Sequence, residues 1–111
     1  MPLFDADRID ALFAVLGRTG GQQVLERFAD ELAAEIGTLT GLAAQGDLCA
    51  TARHAHGLKG AAANFGASDL QAISRSVEQA ATTPDASARL AGLLADLELV
   101  ARQTALAARH L

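Results

Sequence analysis

His56, Lys59 and Gly60 stand at i, i+3 and i+4 within Arg53-His54-Ala55-His56-Gly57-Leu58-Lys59-Gly60-Ala61-Ala62-Ala63-Asn64-Phe65-Gly66. On a helix these three are surface neighbours, because residues three and four apart share a face. An imidazole beside a cation, with no bulk one turn further on, suits a phosphate-accepting site. A free imidazole titrates near about 6.5, so much of it is neutral and nucleophilic at neutral pH. A phosphorylated ring would bring about two negative charges, which Lys59 could offset as a point charge. Such chemistry needs no general base, in keeping with the absence of a triad-like constellation. Gly57 and Gly60 each cost about 1 kcal/mol relative to alanine in mid-helix. Close approach of another molecule is the functional reason for Gly60, and helix–helix packing is the bland one. Gly57 fits either, or plain tolerance.

The elements that must hold these residues read as helices. Ile9, Leu12, Phe13 and Leu16 mark a short first helix closed near Gly17. A long second helix starts at Thr19 or Gly20, with Leu25, Phe28, Leu32, Ile36, Leu39 and Leu42 or Ala43 on one stripe. Gly46 can end it in a left-handed cap, and Asp47 can cap the next. The third helix runs from about Leu48 to Phe65, with Gly66 as its stop and Ser68 as the following cap. Leu70, Ile73, Val77 and Ala80 define the fourth. Thr83-Pro84 reads as a cap followed by proline at the first helical position, and Leu90, Leu93, Leu97, Val100, Thr104 and Ala107 continue at bundle spacing. Short connections make sequential helices antiparallel neighbours. The expected fold is all-α: an antiparallel up-down four-helix bundle preceded by a short N-terminal helix, in a single domain spanning residues 1–111.

On the third helix, Leu48, Ala52, Ala55, Leu58, Ala62 and Phe65 share the stripe that faces the core. His56 lies about 130° from its centre, on the water side. Lys59 falls between His56 and the stripe, so its stem can pack while its ammonium reaches outward. On the fourth helix, Gln71, Arg75 and Glu78 are spaced by four and three along a polar face. If that face borders the third helix, one of them could hydrogen-bond Nδ1 of His56 and fix its tautomer. Glu78 is the strongest choice, because it supplies a carboxylate; a solvated helix surface is the alternative for each.

The other histidines fit less well. His54 is turned about 200° from His56 and lacks the lysine and glycine at +3 and +4, so it reads as a partly buried flank residue. His110 sits at a fraying terminus. Cys49 and His56 share a face, but seven helical residues separate them by about 10 Å, too far for one metal ion. No Glu-x-x-His pair projects inward to form a bundle metal or cofactor site.

Composition sets outer bounds. The 111 residues are 50% hydrophobic with four Phe and no Tyr or Trp, which favours alanine-rich helices over a β-sandwich. Thirteen acidic against nine basic residues, a net charge of −4, argue against a nucleic-acid partner. A single cysteine, Cys49, rules out an internal disulfide. Asp5, Asp7, Arg8 and Asp10 interrupt the opening segment where a signal sequence would be apolar, and no apolar run is long enough to span a bilayer. A cytoplasmic location and no membrane partner are expected.

The segment from Ala55 to Gly66 resembles the signature of histidine phosphotransfer (HPt) domains, His-x-Leu-Lys-Gly followed by small residues and a closing glycine. The resemblance implies that His56 is phosphorylated, Lys59 is the phosphate-side cation, Gly60 gives clearance to a receiver domain, and Leu58 is a core anchor. Gly57 departs slightly from the family, which often has a side chain there. It implies a phosphoryl carrier relaying between receiver-domain aspartates in a multistep two-component phosphorelay, with no ATP-dependent kinase activity of its own. Partners would be receiver domains of response regulators or hybrid histidine kinases; the protein would be a monomer without a cofactor, and Mg²⁺ would come with the receiver. Arg53, His54, Lys59 and Arg75 would form a basic patch towards an acidic receiver site, with Ala63 and Phe65 in the docking surface. The alternative is a helical adaptor, or a degenerate HPt domain that binds receivers without accepting phosphate.

Overall fold

A computed structural model describes residues 3–83 and 87–111. Its helices are α1 (Ala6–Ala44), α2 (Leu48–Asn64), α3 (Ser68–Ala81) and α4 (Ser87–Arg109). Each packs on its neighbour in the chain and α4 closes back onto α1, giving the expected all-α four-helix bundle. Thr83-Pro84 as the start of the last helix falls partly outside the described residues.

The expected short first helix is joined to the second within α1 and separated from it only at Gly17, whose φ of 74° and ψ of 172° are not helical. A positive φ is strained for any residue with a Cβ, so glycine is what allows this kink. A straight helix of this length would measure about 58 Å, whereas the longest extent of the molecule is 46 Å. The segment before the kink therefore folds back across one end of the bundle. Helical geometry resumes directly after Gly17, slightly earlier than Thr19.

That end is tied to the turn between α2 and α3. The Asp5 N–H donates to the Gly66 carbonyl at 2.9 Å. Phe4 meets Phe28 edge-on at 6.4 Å between ring centroids, and Phe28 stacks on Phe65 at 4.4 Å. Gly66 has a φ of +68°, and a Cβ there would come within 2.6 Å of the Asp5 Cβ, so the turn needs glycine for conformation and for space. The Ala67 N–H donates back to the Ala62 carbonyl at 2.9 Å and the Gly66 N–H to that of Ala63 at 3.1 Å, satisfying the end of α2.

Two local expectations are corrected. Ser68 does not cap α3: it is the first helical residue, and the cap position is Ala67, which is fully buried and caps with no side chain. Leu48 is 38% exposed rather than core. As the first residue of α2 it lies at the open end of the bundle, beside a groove it shares with Leu90 and Leu94. Ala50 and Thr51 are buried on that turn instead, with Ala55, Leu58 and Ala62 further along. Asp47 caps α2 as expected, accepting from the Ala50 N–H at 3.1 Å. Thr51 and Thr104 are buried without cost in hydrogen bonding, since each hydroxyl donates to a carbonyl one turn back, at 2.8 and 2.7 Å. The hydroxyl of the fully buried Ser74 has no partner among the described residues.

Candidate functional site

α2 buries Ala55, Leu58 and Ala62 and turns His56 outward, leaving its side chain 67% exposed. The tight turn at Gly66 folds α3 antiparallel against α2 about residue 67, so position 78 comes opposite positions 56 and 59. Nδ1 of His56 lies 2.7 Å from Oε2 of Glu78. Lys59 Nζ donates to Oε1 of the same carboxylate, also at 2.7 Å. A single side chain from α3 therefore engages the imidazole and the ammonium with separate oxygens.

The electrostatics follow from this geometry. The Lys59 hydrogen bond, aided by that from His56 and by the charge of both, holds the Glu78 carboxyl below its usual value against the opposing effect of partial burial. Glu78 is thus an ionised, acceptor-only group at neutral pH. The proton between it and a neutral His56 ring must sit on Nδ1, which leaves the lone pair on Nε2 directed away from the carboxylate.

Lys59 departs from expectation. Its ammonium does not reach outward but is turned onto Glu78, with the side chain 24% exposed. Gln71 and Arg75 make no hydrogen bond or ion pair with His56 among the described residues. The antiparallel register places Arg75 about one turn and Gln71 about two turns past the imidazole, towards the Gly66 turn. Among the described residues, a Cβ at Gly57 or at Gly60 would meet nothing within 4 Å, so no contact between them requires either glycine and the outer face of α2 is open there.

His54 projects to the other side of α2, where its Nδ1 lies 2.7 Å from Oε1 of Glu35 on α1. Glu35 had no signal in the sequence: without the α1–α2 register, nothing separates it from its acidic neighbours. Because His54 and Lys59 both face carboxylates, the expected basic patch is reduced to its exposed members, Arg53 and Arg75. Cys49 and His110 are exposed. Among the described residues, no three His, Cys, Asp or Glu side chains gather into a set that could hold a metal ion, and no helix is long and apolar enough to cross a membrane.

The family model of the Hpt domain matches residues 23–108. The chain belongs to the Hpt-domain family. No match was found among curated proteins or among solved structures. The matched stretch takes in the long part of α1 and nearly all of α4, and leaves out the segment before the Gly17 kink. Hpt domains are helical phosphocarrier modules of phosphorelays rather than kinases, and they interact with receiver domains of two-component systems.

Proposed function

We propose that this Hpt domain carries the phosphoryl group on Nε2 of His56, taking it from the aspartyl phosphate of one receiver domain and passing it to the aspartate of another. The observation that carries this reading is the Nδ1 contact with Glu78, which leaves Nε2 as the nucleophilic atom on an exposed ring. The Nε2 lone pair attacks phosphorus in line, the bond from phosphorus to the aspartyl oxygen breaks, and the carboxylate leaves. The ring gains positive charge while Nδ1 keeps its proton, and the Glu78 carboxylate beside it offsets that charge. Transfer onward is the reverse of this step.

Lys59 lies one turn from His56 and exchanges part of its contact with Glu78 for the arriving phosphoryl oxygens. Gly60 lets the partner's backbone approach. Mg²⁺ comes with the receiver, whether of a response regulator or of a hybrid kinase, and no resident cofactor is needed. The protein acts as a cytoplasmic monomer in this reading. An exposed imidazole with an oriented Nδ1 favours a phosphate-accepting domain over an adaptor that only binds receivers.

The test is transfer from a phosphorylated receiver to the wild type and to His56→Gln, followed by the acid stability of the product. Acid-labile, alkali-stable label on the wild type alone is expected. Label that survives in His56→Gln moves the site elsewhere, and no label with several competent receivers supports the adaptor.

A further inference from the structure

The pairing of imidazole and carboxylate occurs twice on α2. His54 and His56 are two residues apart and so about 200° apart around the helix. Each has its Nδ1 2.7 Å from a carboxylate of a flanking helix, Glu35 of α1 for His54 and Glu78 of α3 for His56. The His54 side chain is 41% exposed, so it is not sealed in the core. It lines a groove of about 320 Å³ between α1 and α2, together with Phe28, Glu31, Glu35, Arg53 and Gly57 among others. That volume is at the small end of ligand sites. The groove also offers a guanidinium, Arg53, and free space above Gly57.

We propose that His54 is a second phosphoryl-accepting histidine, which reacts with small phosphoramidate-type donors from the α1 side of α2. Nε2 of His54 attacks phosphorus, the P–N bond of the donor breaks, and the amine leaves with the proton it already carries. The new N–P bond makes the ring cationic; Nδ1 retains its proton, and Glu35 offsets the charge as Glu78 does for His56. Arg53 supplies the cation for the phosphoryl oxygens. Glu31 and Glu35 in the same groove oppose a dianion, so His54 reacts more slowly than His56. Its recessed position suits a small donor rather than a folded domain. The proposal goes beyond the assignment of His56 and does not depend on it.

The chain contains its own reference. His110 is exposed and makes no side-chain hydrogen bond among the described residues. Variants that each keep one histidine, His56→Gln/His110→Gln and His54→Gln/His56→Gln, are treated with potassium phosphoramidate and followed by intact mass at neutral pH. A histidine-free variant sets the background, and circular dichroism checks each fold. His54 is expected to react roughly tenfold faster than His110, and the advantage should vanish when Glu35→Ala is added. A His54 rate equal to or below that of His110 overturns the proposal, leaving the pair as a tie between helices. An advantage that survives Glu35→Ala in a folded protein overturns it equally, because orientation by Glu35 would then not be the cause.

Discussion

Oε2 of Glu78 lies 2.7 Å from Nδ1 of His56, across the interface between α2 and α3. The other oxygen of that carboxylate holds Lys59 at the same distance. Glu78 therefore sets the tautomer of the ring and restrains the nearest cation at once. Its removal should have two separable consequences.

Glu78→Ala should lower the rate of phosphoryl acceptance by roughly ten- to a hundredfold, the range expected for losing a hydrogen bond to a charged group. Glu78→Gln should cost less, because its amide oxygen can still accept from Nδ1 but no longer offsets the ring's positive charge. Single-turnover transfer from a phosphorylated receiver measures both. Equal rates in all three proteins would show that the orientation of His56 does not limit transfer.

His56→Gln should abolish acceptance while leaving helicity and the unfolding midpoint close to wild type, since the side chain is mostly exposed and outside the core. Lys59→Ala should slow transfer several-fold and also lower stability by about 1 kcal/mol, since it leaves the Glu78 carboxylate without its ammonium partner. Urea denaturation beside transfer kinetics separates the two effects. A Lys59→Ala protein with unchanged rates would remove the lysine from the chemistry.

The depressed Glu78 pKa makes a pH prediction with a definite sign. An acid whose pKa is lower in the folded state stabilises the fold fully above its unfolded value, here near 4.5, and loses that contribution as pH falls through the folded value. The stabilising contribution of the Glu78 carboxylate, read as the difference between wild type and Glu78→Gln, should thus be present above about 4.5 and be lost as pH falls below it. Urea midpoints at a series of pH values report it. A gap that widens below about pH 4.5 would contradict the ion pair with Lys59.

Gly57 and Gly60 should respond differently to alanine, although a Cβ at either meets nothing within 4 Å among the described residues. Each replacement should stabilise the helix by about 1 kcal/mol. Gly57→Ala should leave transfer nearly unchanged, whereas Gly60→Ala, and more so Gly60→Leu, should slow transfer from a receiver but not from a small phosphoryl donor. Slowing with both donors would mean that Gly60 acts on the imidazole and not on partner clearance.

Ser74→Ala should stabilise the bundle by about 1 kcal/mol. It removes a buried hydroxyl that has no partner among the described residues and improves helix propensity. A fall in melting temperature would show that the hydroxyl is solvated in the folded protein.

The helices, the kink glycine and the exposed placement of His56 could be read along the chain, because each depends on local signals. Apolar residues recur at helical spacing, Asp47 and Gly66 punctuate the ends, and the angle of His56 to the core stripe is a property of α2 alone. Even within one helix the reading weakened at the ends. Leu48 has the right periodicity for the core but no turn before it to cover it, and Ser68 has the right chemistry for a cap but follows a buried Ala67 that takes the position. Pairing between helices was less legible still. Gln71, Arg75 and Glu78 lie along one face, and only the antiparallel register about residue 67 selects Glu78 as the partner of His56. The same register turns the ammonium of Lys59 inward onto that carboxylate instead of outward. Glu35 became the partner of His54 by the packing of α1 on α2, which no spacing within either helix encodes. Local sequence determined the helices and the faces they present; which charges meet across those faces was decided by tertiary packing, because it depends on the relative slide of two helices and not on the periodicity of either.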